Sequence, residues 1–406
     1  MAGKKELGYR LFALNYRIAS HFSVRGDSVF SVMTHDASET GNVRTMERYA
    51  AEHGVFCFTH YGREQKDGLS SGNPGKILDF FFRKPWQMAR ARYILMDNEF
   101  LPLSYLRVRR ETKVVQLWHG TGTIKKFGQD VNEGRLKELE RRANENIDLL
   151  PVSHEKWRSI YAGAFGIPES KVCVTGLPRT DALLRAARED TEGARGRVLA
   201  YLKGQQAALP ASIRSFHLYA PTFRDDETAA PRLHLDLGKL TALLPESMTI
   251  FVRLHPEVAK RWREQKVGDT EGAAKADGRI LDVSAYPSLT DLFLASDGLI
   301  TDFSSIMYDY AVLGKPVFFA ADDMEHFLKE DRGVYLPYGE DLPGLICHDE
   351  KELAEAIAGE TAGAASGSAK EETTLTSQAK REAFLEANYA FLDGNACARI
   401  WEWMRR

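Results

Sequence analysis

Cysteine is scarce in this chain. The four present, Cys57, Cys173, Cys347 and Cys397, lie far apart and in no metal-ligand spacing, which argues against a disulfide framework or a structural zinc site. No stretch reads as a signal peptide, so the expectation is a reducing, cytoplasmic compartment. No apolar run approaches the ~18–20 residues that a bilayer span requires, and the chain is expected not to cross a membrane. Charge of one sign is also missing. Lys and Arg number 54 against 57 Asp and Glu, a net −3, which gives no reason to expect nucleic acid as a partner. No acidic pair has metal-site spacing, so neither an obligatory metal nor a cofactor is expected.

What is present begins with length. At 406 residues, 44% of them hydrophobic, the chain exceeds one ordinary core and suggests two soluble domains. Basic residues gather at Arg83, Lys84, Arg90 and Arg92, then at Arg107, Arg109, Arg110 and Lys113. Such a run suits a solvated face, and equally a protein resting on anionic lipid. The segment GYRLFALNYRIASHFSV (8–24) sets Leu11, Phe12, Leu14, Tyr16, Ile18, Ala19 and Phe22 at helical spacing. Two readings stand for it: a helix packed on the protein's own core, or one lying in a membrane interface.

Short β-type runs alternate with helical ones along the chain. SVFSVM (28–33), GVFCFT (54–59), ARYILMD (91–97), KVVQLW (113–118), DLLPVS (148–153) and KVCVTG (171–176) read as buried strands. A second set follows a polar helical stretch near 186–209: FHLYAPTF (216–223), MTIFVRLHP (248–256), RILDVS (279–284), DGLITD (297–302) and KPVFFA (315–320). The pattern predicts an α/β protein of two halves, each with a mostly parallel sheet. The segment 358–372 reads as a low-complexity loop, and the chain then ends in a helix carrying Phe384, Leu385, Tyr389, Phe391 and Trp401.

Five loops follow strands, at the edge where open α/β sheets bind ligands. In QLWHGTGTIKKFG (116–128), a strand ends at Leu117 or Trp118, and His119 follows at its carboxyl edge, where it can act as a general base. Gly120 and Gly122 let backbone amides approach an anion, and Lys125 and Lys126 supply charge. A hydrogen-bonded structural histidine is the plainer reading, but the company of glycines and lysines favours function. In VRLHP (252–256), Arg253 and His255 share a face, where they suit a phosphate. In GLITDFSSIMYDYAVLGKP (298–316), Ser304 or Ser305 caps a helix ending at Gly314, with Asp309 one turn below Ser305. TGLPRTD (175–181) offers Arg179 and Asp181, and YAPTFRDD (219–226) offers Thr222, Arg224, Asp225 and Asp226.

Together WHGTGTIKKFG, TGLPRTD, YAPTFRDD, RLHP and TDFSSIMYDYAVLGKP occur in the order typical of the CDP-glycerol glycerophosphotransferases of teichoic acid synthesis. YILMDN (93–98), RGVY with LPG (332–344) and FLDGNACARI (391–400) also resemble that family, so the likeness runs over about residues 28–406. It implies two Rossmann-like domains facing a cleft, of glycosyltransferase-B type. The expected parts are an amphipathic helix at 1–26, an acceptor domain at 27–195, a CDP-glycerol-binding domain at 210–376, and a helix at 377–406 packing back towards the first domain. The resemblance marks His119, Gly120, Thr121, Gly122, Thr123, Arg179, Pro221, Thr222, Arg253, His255, Ser304, Ser305 and Asp309 as site residues, with His119 and His255 in the catalytic roles.

The implied activity is transfer of glycerol phosphate from CDP-glycerol to a hydroxyl of a lipid-linked saccharide, releasing CMP, at the inner face of the cell membrane. Alternatives are another polyol phosphate such as ribitol phosphate, and a non-catalytic nucleotide-binding module. One departure stands out. Many polymerising members read HGTPLKK, whereas this chain reads HGTGTIKK, one residue longer and without the proline. That form, without a long N-terminal extension, looks like the short, primase-like members that add a single unit.

Overall fold

The computed structural model of the chain describes residues 2–205, 213–222, 233, 235–254, 258–259, 278–302, 304–320, 333–335, 341–362 and 369–406. They form two compact units, Met1–Ala182 with Asn388–Arg406, and Leu183–Ala387.

In the first unit, β1 (Arg25–Met33), β2 (Cys57–Gly62), β3 (Ala91–Met96) and β4 (Lys113–Gln116) form a parallel sheet in the order β2-β1-β3-β4. A parallel pair, β5 (Leu150–Val152) and β6 (Val172–Val174), is tied to β4 by a bridge between Val115 and Leu149. Helices cover both faces of such a sheet, so the strands read as continuous apolar runs rather than alternating ones. Val29, Met33, Tyr93, Leu95 and Val115 pack with Val43 and Met46 of helix Asn42–Glu52. Cys397, Ile400, Trp401 and Met404 of helix Ala396–Arg405 close the same cluster.

The N-terminal segment is a helix over Ala2–Ala19. Phe12, Ala13, Tyr16 and Ala19 are buried, and the Phe12 ring meets those of Phe80 and Phe100. Leu7 and Leu14 are exposed at 69% and 54%. One stripe of the helix therefore packs on the protein's own core, and a second apolar stripe faces away from it.

In the second unit, β7 (Ser215–Tyr219), β8 (Met248–Val252), β9 (Ile280–Asp282), β10 (Gly298–Thr301), β11 (Val317–Ala320) and β12 (Leu345–Cys347) form one parallel sheet, ordered β12-β11-β10-β7-β8-β9. Counted from its own first strand, that order is 3-2-1-4-5-6, the dinucleotide-fold arrangement, with the reversal between β7 and β10. Gly298 of β10 lies where any side chain would collide with the buried His217 ring of β7, at 2.6 Å from a built Cβ.

Three details differ from the sequence reading. Strand β12 is not among the expected strands; three residues are too short for a periodicity to register. Residues 358–362 and 369–372 are helical rather than loop, within helices Glu350–Ala362 and Ala369–Asn388, as their Ala and Glu content favours. The terminal helix is two, Ala369–Asn388 and Ala396–Arg405, parted at Asp393-Gly394-Asn395. There Gly394 takes φ 74° and the Asn395 amide donates to the Asp393 carboxylate at 3.1 Å, ordinary turn chemistry.

Candidate functional site

The order of strands in the first unit reverses between β1 and β3, and such a switch point opens a crevice at the strands' carboxyl ends. Asp97 lies there, just beyond β3. Its carboxylate accepts the backbone N–H groups of Thr34, His35 and Asp36, which follow β1, at 2.9, 3.1 and 2.7 Å. Burial pushes the carboxyl up to about 6 and the three amide donors pull it back, so near pH 7 it is the ionised, acceptor form that matches these partners.

The Asp97 backbone carbonyl meets His119 Nδ1 at 2.8 Å. A carbonyl oxygen only accepts, so Nδ1 carries the proton and Nε2 keeps the lone pair of a neutral ring. Burial, then His35, then Arg179 hold the His119 proton affinity down to about 3. At neutral pH the ring is therefore uncharged and disposed to accept a proton. It is stacked face to face on His35, with centroids 3.6 Å apart and planes 5° from parallel.

The residue before His119 is held in an unusual backbone state. Trp118 has φ 56°, in the left-handed region that non-glycine residues avoid. Two sets of contacts hold it there. Its ring packs on Phe127, Phe165 and His119 at centroid distances of 5.2, 5.0 and 3.9 Å. Asn42, at the start of helix Asn42–Glu52, donates from Nδ2 to the Trp118 and Leu117 carbonyls at 3.0 and 3.2 Å. The Asn42 Oδ1 in turn accepts the Arg179 backbone N–H at 2.9 Å, and the Arg179 guanidinium donates to the His119 carbonyl. Strain of this kind persists where surroundings over-determine it, and it gathers at functional sites.

The loop beyond His119 is pinned by its carbonyls. Tyr161 OH donates to Gly120 O at 3.4 Å, Ser153 Oγ to Thr121 O at 3.3 Å, and Thr123 Oγ1 to Lys125 O at 2.8 Å. Thr121 and Gly122 are buried, whereas His119, Gly120 and Thr123 are half-buried.

The second unit has its own switch point, between β7 and β10. Asp302, just beyond β10, accepts from both the backbone N–H and Oγ1 of Thr222, at 2.7 and 2.6 Å. Pro221 precedes Thr222 in the loop after β7. Arg253, at the end of β8, is half-buried, and its Nη1 donates to the Tyr286 and Val283 carbonyls at 2.8 and 3.4 Å. Beyond Asp302, Ser305 opens helix Ile306–Ala311, and Ser304 Oγ accepts the Ile306 N–H at 3.4 Å. Asp309 is buried one turn on. The helix is shorter than the sequence suggests, giving way to a turn that ends at Gly314, φ 68°. His255, Arg224, Asp225 and Asp226 lie outside the described residues. Among the described residues no three His, Cys, Asp or Glu side chains gather as a metal site would need.

With this geometry in place, comparison with known proteins is decisive. The family described as CDP-glycerol:poly(glycerophosphate) glycerophosphotransferase matches residues 14–405. The chain belongs to that family. A teichoic acid glycerol-phosphate primase of Bacillus subtilis is 31% identical over 294 residues, 71% of this chain and 70% of its own. A teichoic acid ribitol-phosphate primase of Bacillus spizizenii is 29% identical over 405 residues, 96% of this chain and 94% of its own.

Among solved structures, the wall teichoic acid polymerase TagF superposes with a TM-score of 0.74 at 22% identity, covering 98% of this chain and 93% of that one. A UDP-GlcNAc 2-epimerase from Methanocaldococcus jannaschii superposes at 0.55 and 12% identity, covering 93% of this chain and 99% of that one. These likenesses are of fold, and they bear out the glycosyltransferase-B-type class expected from the sequence.

For this glycerophosphotransferase the structure brings the marked residues together in two groups. His119, Gly120 to Thr123 and Arg179 form one, at the carboxyl edge of the first sheet. Pro221, Thr222, Arg253, Ser304, Ser305 and Asp309 line the corresponding edge of the second. Sequence reasoning missed His35, Asn42 and the part played by Asp97. Thr34-His35-Asp36 does follow a strand, which is a usable signal. Asn42 carried none, because its partners lie 75 or more positions along the chain.

Proposed function

We propose that this chain transfers glycerol phosphate from CDP-glycerol to a hydroxyl of a lipid-linked saccharide in teichoic acid synthesis, releasing CMP. The observation that carries the reading is His119, neutral, with Nδ1–H given to the Asp97 carbonyl and the Nε2 lone pair left for chemistry. In the step, the acceptor oxygen forms a bond to the glycerol-bearing phosphorus, the bond from that phosphorus to the CMP oxygen breaks, and the acceptor proton passes to Nε2. Arg253, His255 and the Ser304/Ser305 turn offset charge building on the diphosphate oxygens, a term usually worth about 10²–10³ in turnover per donor. Thr222, held by Asp302, and Asp309 position the nucleotide or polyol hydroxyls.

Contact with the inner face of the cell membrane belongs to the same proposal. It is supported by the exposed Leu7, Leu11, Leu14, Ile18 and Phe22. Beside that helix lies a cleft of about 980 Å³ whose lining includes Arg17, Arg107, Arg109, Arg110, Arg141 and Arg142. An apolar stripe with neighbouring cations suits an anionic lipid surface. No helix among the described residues is long and apolar enough to cross a membrane.

The test is CMP release from CDP-glycerol and from CDP-ribitol, with and without a lipid-linked disaccharide, beside His119→Ala. Acceptor-dependent CMP from CDP-glycerol that disappears in the variant supports the proposal. Preference for CDP-ribitol would favour the second reading, for which the near full-length match to a ribitol-phosphate primase speaks. Binding of CDP-glycerol with no CMP from either donor would leave a nucleotide-binding module.

A further inference from the structure

Among the described residues, His35 is the exposed ring in direct contact with the candidate base. Its backbone is fixed, because its N–H donates to the Asp97 carboxylate at 3.1 Å. The same residue's carbonyl fixes the His119 ring at 2.8 Å. Asp97 thus sets both histidines in register, and the rings lie 3.6 Å apart and 5° from parallel. On its other side His119 meets Trp118 at 3.9 Å and 30°. The base candidate is a ring clamped between two others, one a rigid indole in a strained backbone and one a titratable imidazole open to solvent.

We propose that His35 is a positioning residue for His119: as a neutral ring it holds the imidazole in its proton-accepting orientation and steadies the imidazolium formed during transfer, and as a cation it blocks that protonation. This rests on the reading of His119 as the base. A neutral aromatic face attracts a cation held over it, whereas two stacked imidazolium rings repel. The groups facing His35 leave it harder to protonate than an ordinary imidazole. Covering one ring face lowers its proton affinity and Asp36 raises it, while Arg179, Arg63 and Lys66 lower it. Around His119, His35 and Arg179 oppose protonation and the Asp97 carbonyl favours it. Asp97 itself, pushed up to about 6, remains in every His35 variant, so it is common background.

Two substitutions separate ring contact from charge. His35→Ala removes both, and His35→Phe keeps an aromatic face but never titrates. For the full chain with CDP-glycerol and a lipid-linked disaccharide, His35→Ala is expected to lower kcat about 3- to 10-fold, the worth of one aromatic contact. KM for CDP-glycerol and the melting temperature should stay unchanged. His35→Phe should recover most of kcat, and its kcat profile should lack the inflection that protonation of His35 adds. The His119 imidazole proton resonances should titrate at higher pH in His35→Phe than in the parent.

The inference is overturned if His35→Ala keeps the parental kcat and pH profile. It is equally overturned if His35→Phe loses as much as His35→Ala, or if the loss follows a fall in melting temperature. His119→Ala is assayed alongside: full activity there would remove the base reading itself, whereas an inactive His119→Ala beside parental His35 variants would sink only the present inference.

Discussion

The two sheets each place an aspartate just past the strand that follows their switch point, and the two aspartates are used differently. Asp97 spends its carboxylate on three successive backbone amides and its carbonyl on His119. Asp302 instead holds Thr222 by both its amide and its hydroxyl. In one unit the carboxylate builds a rigid turn whose product is an oriented imidazole. In the other it orients a hydroxyl-bearing loop, with Ser304 and Ser305 next along the chain. On the proposed reading one edge moves a proton and the other holds hydroxyls and phosphate, and the comparison predicts that damage to each shows in a different kinetic constant.

The comparison breaks most sharply at His119, which has no counterpart among the described residues of the second edge. Replacing it by Ala should lower kcat about 10²–10⁴-fold, the usual contribution of a positioned general base, with little change in the affinity for CDP-glycerol. Steady-state kinetics beside calorimetric binding of the donor decides this. A variant that binds CDP-glycerol poorly but turns over normally would place His119 in donor recognition.

The paired test comes next. Asp97→Asn keeps the shape but weakens three amide contacts, and it should lower kcat by about tenfold through a misoriented His119, each contact to a charged acceptor being worth about 1.5–3 kcal/mol. Asp302→Asn should raise KM for CDP-glycerol by a similar factor and spare kcat, because Thr222 loses its anchor. Equal effects of both substitutions on both constants would erase the distinction between the edges.

How far this was legible beforehand follows from which interactions are local. Eleven of the twelve strands, and the loops bearing His119, Arg179, Thr222, Arg253 and Ser304, were readable because a buried parallel strand is a continuous apolar run ending in glycine or a polar turn. The histidine stack was not, because it depends on β1 and β4 flanking β3, and strand order is absent from a periodicity. Nor was the Trp118 backbone state: a tryptophan followed by His-Gly gives no hint of φ 56°. The 3-2-1-4-5-6 order of the second sheet likewise appears only once strands are paired, although the alternation of elements allowed it.

Asn42 is the next place to press on the first edge. It joins the Trp118 carbonyl to the Arg179 loop. Asn42→Ala removes two donated bonds and one accepted bond in a buried setting. The expected cost is about 2–3 kcal/mol of stability, with a few-fold lower kcat as Trp118 relaxes towards ordinary φ. Asn42→Asp, which keeps the acceptor for the Arg179 amide but loses the donor, should lose kcat while retaining the position of Arg179. Denaturant titration with kinetics on both variants separates the two bonds.

The smallest effect is expected two residues past each aspartate, where the units diverge again. The second edge has Ser304 there, and the first has Glu99, half-buried, accepting from Asn144 Nδ2 at 3.2 Å. Burial, with Glu140 nearby, pushes the Glu99 carboxyl up to about 8 from an ordinary 4.5. A raised folded-state value means that the native protein keeps a proton which the unfolded chain releases. Its contribution is present below pH 4.5 and is lost as pH rises through 8. Glu99→Gln retains the oxygen that Asn144 needs and has no proton to lose. The variant should match the parent near pH 4.5 and melt about 5 °C higher at pH 8. A difference that is flat across this range would show Glu99 ionised in the folded protein.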